Sequence, residues 1–132
     1  MEAFRSMVER RDLSDVESVL AENVEFASPA AHRPYAGRAL TAAILRQVLE
    51  ELQDLQYVRE IVSVDGRDFA LEFEARVGDL RINGCDFLHL DDDGLIDRFK
   101  VMVRPLNAAT ELARRMAVRF AAITEEKGDG GL

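Results

Sequence analysis

Cysteine is nearly absent from this 132-residue sequence. Cys85 alone excludes an intrachain disulfide and any multi-cysteine metal site, and it fits a reducing cytoplasm. Histidine is limited to His32 and His89, too far apart in the chain to make good ligands, so neither a metal nor another cofactor is expected. No apolar run approaches the roughly 20 residues that cross a bilayer. The opening Met1-Glu2-Ala3-Phe4-Arg5 has no signal-peptide core, so the expectation is a cytoplasmic protein without a membrane partner. Positive charge is in deficit: 17 Lys and Arg stand against 25 Asp and Glu, a net charge of -8. A general nucleic-acid binder would show a basic stripe instead. There is no Gly-x-Ser-x-Gly elbow for a nucleophilic serine. The acidic Asp91-Asp92-Asp93-Gly94 run lacks the closing Glu of a calcium loop and reads as a hairpin tip.

What is present points to a folded globule. Hydrophobic residues make up 48% and charged residues 32%, a balance that a disordered chain does not have. The length suits one domain, here 1–124, followed by a charged, glycine-rich tail at 125–132 expected to be flexible.

Phe4, Met7 and Val8 have helical spacing and predict a short opening helix. Ser14 and Glu17 form a capping-box pattern ahead of Val16, Val19 and Leu20, which predicts a second helix ending near Asn23. Val24-Glu25-Phe26 then alternates as a short strand, and the two prolines and glycine of 28–38 mark a loop. Leu40, Ile44, Leu45, Val48, Leu49, Leu52 and Leu55 make the apolar stripe of a longer helix. The period then changes to two. Val58, Val62 and Val64 suggest one strand, and Phe69 to Val77 alternates most cleanly. Leu80 to Leu90 and Leu95 to Arg104 complete an antiparallel meander, stopped by Pro105. Leu112, Met116, Phe120 and Ile123 return to helical spacing. The fold class is therefore α+β, a strongly twisted antiparallel sheet wrapped round helices as a cone with an apolar interior.

Within the third long strand, Asp86 shares a face with Ile82, Gly84, Leu88 and Leu90. A carboxylate on that core-like face gains a raised pKa by desolvation and becomes a candidate acid or base. Two plainer readings stand beside it. Asp86 is paired with Arg104, Arg98 or a backbone donor, or the strand has the opposite phase, with Phe87 inside. Ser28 reads first as a turn serine before Pro29, His32 as a solvated loop residue, His89 as a packed sheet residue and Cys85 as an inert thiol. The outer sheet face would carry Arg81, Cys85, Phe87 and His89 with some of Ile96, Arg98, Lys100 and Met102. That mixture predicts a homodimer through this face.

Several phrases resemble the nuclear-transport-factor-2-like (NTF2-like) superfamily, particularly its SnoaL-like branch. They are Asp12-Leu13-Ser14-Asp15 through Leu20 to Pro29, Tyr35-Ala36-Gly37-Arg38, Asp86 to Ile96, and Val103-Arg104-Pro105-Leu106. The resemblance spans about residues 3 to 120 and implies a dimer with a deep apolar cone pocket. In the ketosteroid-isomerase-like members an aspartate base precedes a proline at the end of the first strand, a position held here by Ser28. Their oxyanion hole pairs a first-helix tyrosine with a protonated aspartate, positions that fall at Phe4 and Asp86. Only the last of these polar groups is retained, and cyclase-like members, which use fewer groups, match a lone Asp86 better. The epoxide-hydrolase members' Asp-Arg-Asp set has no second inward carboxylate here.

The resemblance and the residues together imply a protein that binds a compact hydrophobic molecule, a polyketide-, steroid- or terpene-like ketone. Asp86 would be its acid or base, Ser28 and Tyr35 would orient the ligand, and Phe26, Leu45, Val48, Leu52, Phe73 and Leu88 would line the pocket. The rival is a non-catalytic binding or dimerisation module whose cone is filled by its own side chains.

Overall fold

The computed structural model describes residues 1–29 and 31–126, with side chains described as far as 121. Its elements are α1 (Glu2–Glu9), a 3-10 turn (Val16–Val19), β1 (Leu20–Ala27), β2 (Tyr35–Ala36), α2 (Arg38–Glu51), β3 (Gln53–Val62), β4 (Asp68–Val77), β5 (Leu80–Leu90), β6 (Ile96–Arg104) and α3 (Leu106–Glu126). The strands form one curved sheet in the order β2-β1-β6-β5-β4-β3, open at its β2 and β3 edges. β3 to β6 are the expected antiparallel meander. β1 joins it in parallel with β6, and β2 pairs antiparallel with β1.

The helices fill the hollow of this sheet. α1 inserts Phe4, Met7 and Val8; α2 inserts Ile44, Leu45 and Leu49; α3 inserts Ala108, Leu112, Met116 and Phe120. Leu20, Val24, Phe26, Leu71, Phe73, Ile82, Leu88 and Phe99 meet them from the strands, each at most 2% exposed. α2 and α3 are also held by charge. Glu51 accepts from Arg115 at 3.1 Å and from Arg119 at 2.6 Å. Burial alone would raise the Glu51 pKa, but these two guanidinium bonds hold it low.

α1 ends in a Schellman turn, with the Asp12 amide donating to the Met7 carbonyl and the Arg11 amide to the Val8 carbonyl. The left-handed position of that turn usually takes glycine, yet here it is Arg11 at φ 55°. The Arg11 side chain compensates by donating to the Leu49 and Leu52 carbonyls at 2.6 and 2.9 Å, capping the end of α2.

Four expectations need correction. The second helix is one 3-10 turn, and the strand begins at Leu20. Ser14 bonds back to Asp12 rather than capping a helix, and Glu17 pairs with Arg46 at 2.5 Å. Leu55 belongs to β3, and Val58, Val62 and Val64 are exposed: β3 bulges between Tyr57 and Arg59, and Val64 lies past its end. Ile96 faces inward, because a bulge beside Leu90 turns the start of β6 over. The expected tail starts inside α3, which continues to Glu126; the Ile123 side chain and residues 127–132 lie outside the described ones.

Candidate functional site

β5 places Asp86 on the inner face, 6% exposed, between Leu71 of β4 and Val101 of β6. Neither expected cation reaches it: Arg98 and Arg104 are exposed on the other face of β6. The partner is Tyr57, whose hydroxyl donates to Asp86 Oδ2 at 2.8 Å. Tyr57 lies opposite Phe73 and Asp86 opposite Leu71, so the phenol crosses β4 on the diagonal, within the reach of an aromatic side chain. Among the described residues this is the carboxyl's one hydrogen bond. Desolvation pushes the Asp86 pKa up to about 7, opposed by the Tyr57 bond. Tyr57 is pushed well above the usual phenol range by burial first and then by the neighbouring carboxylate.

Gly84, one inward position before Asp86, is required by close packing. A Cβ there would stand 2.3 Å from Phe73 Cζ and 2.9 Å from the Met102 carbonyl oxygen. The Phe73 ring therefore lies over bare backbone and meets Tyr57 edge-on at 6.4 Å. Gly84→Ala should cost about 1–3 kcal/mol by overpacking and tilt Phe73 away, to be measured as a lowered urea midpoint.

Asp86 and Tyr57 border a cavity of about 40 Å³, room for about two or three waters. Phe26, Leu45, Val48, Leu52 and Phe73 line it, joined by Phe4, Val8, Phe99 and Val101. A second lobe of about 20 Å³ shares Phe26, Val48, Leu52, Phe73 and Val101 as walls, and Ser28 borders this lobe rather than the first. Ser28 Oγ accepts the Ala31 amide at 3.1 Å, as a turn serine does. Tyr35, named to orient a ligand, and Leu88, named to line the pocket, lie elsewhere. Tyr35 packs edge-on against Phe120 at 5.4 Å, and Leu88 is buried farther along β5 between its partners Phe69 and Phe99.

Tyr57 is the residue that sequence reasoning missed. The exposed valines of β3 gave that strand the wrong phase, although the two-residue spacing of Leu55 and Tyr57 carried the right one. On the outer face, burial pushes the Cys85 thiol pKa up, and His89 Nδ1 lies 2.6 Å from Asp97 Oδ1. Among the described residues no three His, Cys, Asp or Glu side chains gather into a metal site, and no helix is long and apolar enough to cross a membrane.

The SnoaL-like domain family model matches residues 1–99. A steroid delta-isomerase from Pseudomonas aeruginosa is 40% identical, with a TM-score of 0.88 over 94% of this chain and 90% of that one. An uncharacterized bacterial protein with a cystatin-like fold, from Silicibacter pomeroyi DSS-3, is 32% identical, with a TM-score of 0.86 over 93% and 87%. An NTF2-like protein of unknown function from Mesorhizobium loti shares the fold at 14% identity, with a TM-score of 0.70 over 80% and 88%. No curated protein matches the chain.

Proposed function

The chain belongs to the SnoaL-like domain family, and from that premise we propose that it binds a compact hydrophobic ketone and moves a proton on it with Asp86. The observation that carries this reading is a buried carboxyl with no cation partner among the described residues, pushed up to about 7, at the wall of an apolar cavity. Such a group is poised to give and take a proton at neutral pH. Ionised, Asp86 takes a proton from the carbon beside the ligand carbonyl and returns it to another carbon, which is isomerisation. Protonated, it donates to the carbonyl oxygen. Tyr57 holds the carboxyl in place through either state. The Pseudomonas aeruginosa steroid delta-isomerase supports isomerase-type chemistry, and the absence of carboxylate and phenol at Ser28 and Phe4 argues for a different ligand or proton path.

The test is incorporation of solvent deuterium beside the carbonyl of small cyclic ketones, followed by NMR between pH 5 and 9. A catalysed rate that rises through pH 7 identifies Asp86 as the base; one that falls identifies it as the acid. No catalysis and no thermal stabilisation by any ketone would leave the second reading, a non-catalytic module. The cavity of about 40 Å³ favours that reading, since ligand pockets usually hold about 300–1,000 Å³.

The outer sheet face supports a homodimer. Ile61, Ala70, Phe87 and Lys100 stand in one cross-strand row, beside the Cys85–Met102 pair. Ile61, Phe87 and Met102 are 53%, 42% and 55% exposed, an apolar strip of the kind that a second copy covers. Light scattering on a sizing column should give twice the chain mass, and Phe87→Glu with Met102→Glu should halve it. A wild-type monomer sinks the dimer.

A further inference from the structure

One wall of the cavity beside Asp86 is α1, which joins no strand and is tied at its base through Arg11. We propose that α1 is a displaceable plug over the Asp86–Tyr57 site, and that Phe4 sets the size of the ligand the site admits. This rests on the ligand-binding reading above. Phe4 and Val8 of α1 line the cavity, 3% and 6% exposed, with the Phe4 ring edge-on to Phe99 at 5.4 Å. A ligand larger than a few waters must take space that a side chain now holds.

The walls differ in how they are fixed. β1, β3, β4, β5 and β6 are hydrogen-bonded into the sheet, and α2 is packed against α3 and tied to it through Glu51. α1 has eight residues and no strand partner, and helices shorter than about 12–15 residues are marginal without packing. Its outer fastening is polar and partly exposed. Arg5 Nη1 donates to Glu60 Oε1 of β3 at 2.9 Å, both side chains being 32% exposed. The same guanidinium stands 5.6 Å from the centre of the Tyr57 ring.

The base of α1 is anchored while its body is not. Arg11, in its left-handed conformation, is bonded to the end of α2. An outward swing of the first turn of α1, with the Schellman turn from Met7 to Asp12 left in place, would withdraw Phe4 yet leave Asp86 and Tyr57 on their strands. The space released is that of a phenyl ring beside a carboxyl, which fits a monocyclic ketone. Apolar cavities of that kind take up benzene-sized molecules.

Acetophenone is the probe. Glu60→Gln and Arg5→Gln change exposed side chains, so both variants stay folded. Each should speed hydrogen exchange of the α1 amides about fivefold, the effect of a surface ion pair, and raise the acetophenone association rate by the same factor. Phe4→Ala should bind acetophenone faster than wild type, and adding Glu60→Gln to it should change nothing further. Faster α1 exchange with unchanged association overturns the plug and leaves ligand binding standing. A response to Arg5→Gln but not to Glu60→Gln also overturns it, because the effect then passes through the Tyr57 ring. Failure of every variant, Phe4→Ala included, to bind acetophenone sinks the ligand-binding reading along with the plug.

Discussion

Asp86→Asn will lower proton-transfer turnover by about 10²- to 10⁴-fold, the usual contribution of a positioned acid or base, and at the same time stabilise the protein at neutral pH. The two effects have one cause. The Asp86 pKa is raised from 3.8 to about 7 by desolvation. Below pH 4 the carboxyl is neutral in both the folded and unfolded states, and its burial is tolerated in full. Between pH 4 and 7 the folded state holds a proton that the unfolded state has released, so stability falls by about 1.4 kcal/mol per pH unit. Above pH 7 the loss is complete, on the order of 4 kcal/mol. Asparagine keeps the shape and an oxygen for the Tyr57 hydroxyl but carries no charge. The variant and wild type should therefore melt together near pH 4 and diverge steadily to pH 7, with the variant higher. Parallel melting curves across this range would show that Asp86 is not raised, and full turnover in Asp86→Asn would remove it from the chemistry.

Phe99→Ala should cost about 3–5 kcal/mol, a large share of the roughly 5–15 kcal/mol by which a domain is stable. Phe99 is 2% exposed and stands between two rings, Phe4 at 5.4 Å and Phe26 at 5.3 Å, both edge-on. Its removal takes away the buried ring, two aromatic contacts and the wall that β6 gives the cavity. Phe99→Leu should recover most of the loss because it refills most of the volume. The measurement is the urea midpoint at constant slope. A loss below about 1 kcal/mol would mean that the surrounding walls collapse into the space.

The parts of this molecule legible in its sequence are those where one local pattern met no competitor. β4 and β5 alternate along their whole length and β6 from Phe99 onward, so the inward position of Asp86 could be read from Ile82, Gly84 and Leu88 beside it. The apolar stripes of α2 and α3 were equally plain. Val16 to Leu20 was misread because the spacing suits a helix, while pairing with β6 and β2 draws the chain out as a strand from Leu20 onward. The site was half legible. Its carboxyl breaks an apolar pattern and announces itself, whereas Tyr57 is an ordinary residue until the bulge in β3 and the diagonal across β4 bring it to Asp86. How much free volume remains inside the cone depends on how Phe4, Phe26, Phe73 and Phe99 interdigitate, which no periodicity encodes.

The parallel pairing of β1 with β6 has a consequence for how the chain is made. β1 ends at Ala27 and its partner begins at Ile96, so the amino-terminal quarter leaves the ribosome with nothing to pair against except the two residues of β2. At about 5–20 residues per second, its partner strand arrives several seconds later. In the interval Leu20, Val24 and Phe26 have no sheet to enter, and a binding chaperone or a neighbouring nascent chain has its best opportunity there. The meander from β3 to β6 is local by comparison and can assemble as it emerges. Closure of the fold therefore waits for the last strand, and truncation before Ile96 should leave an amino-terminal segment prone to aggregate.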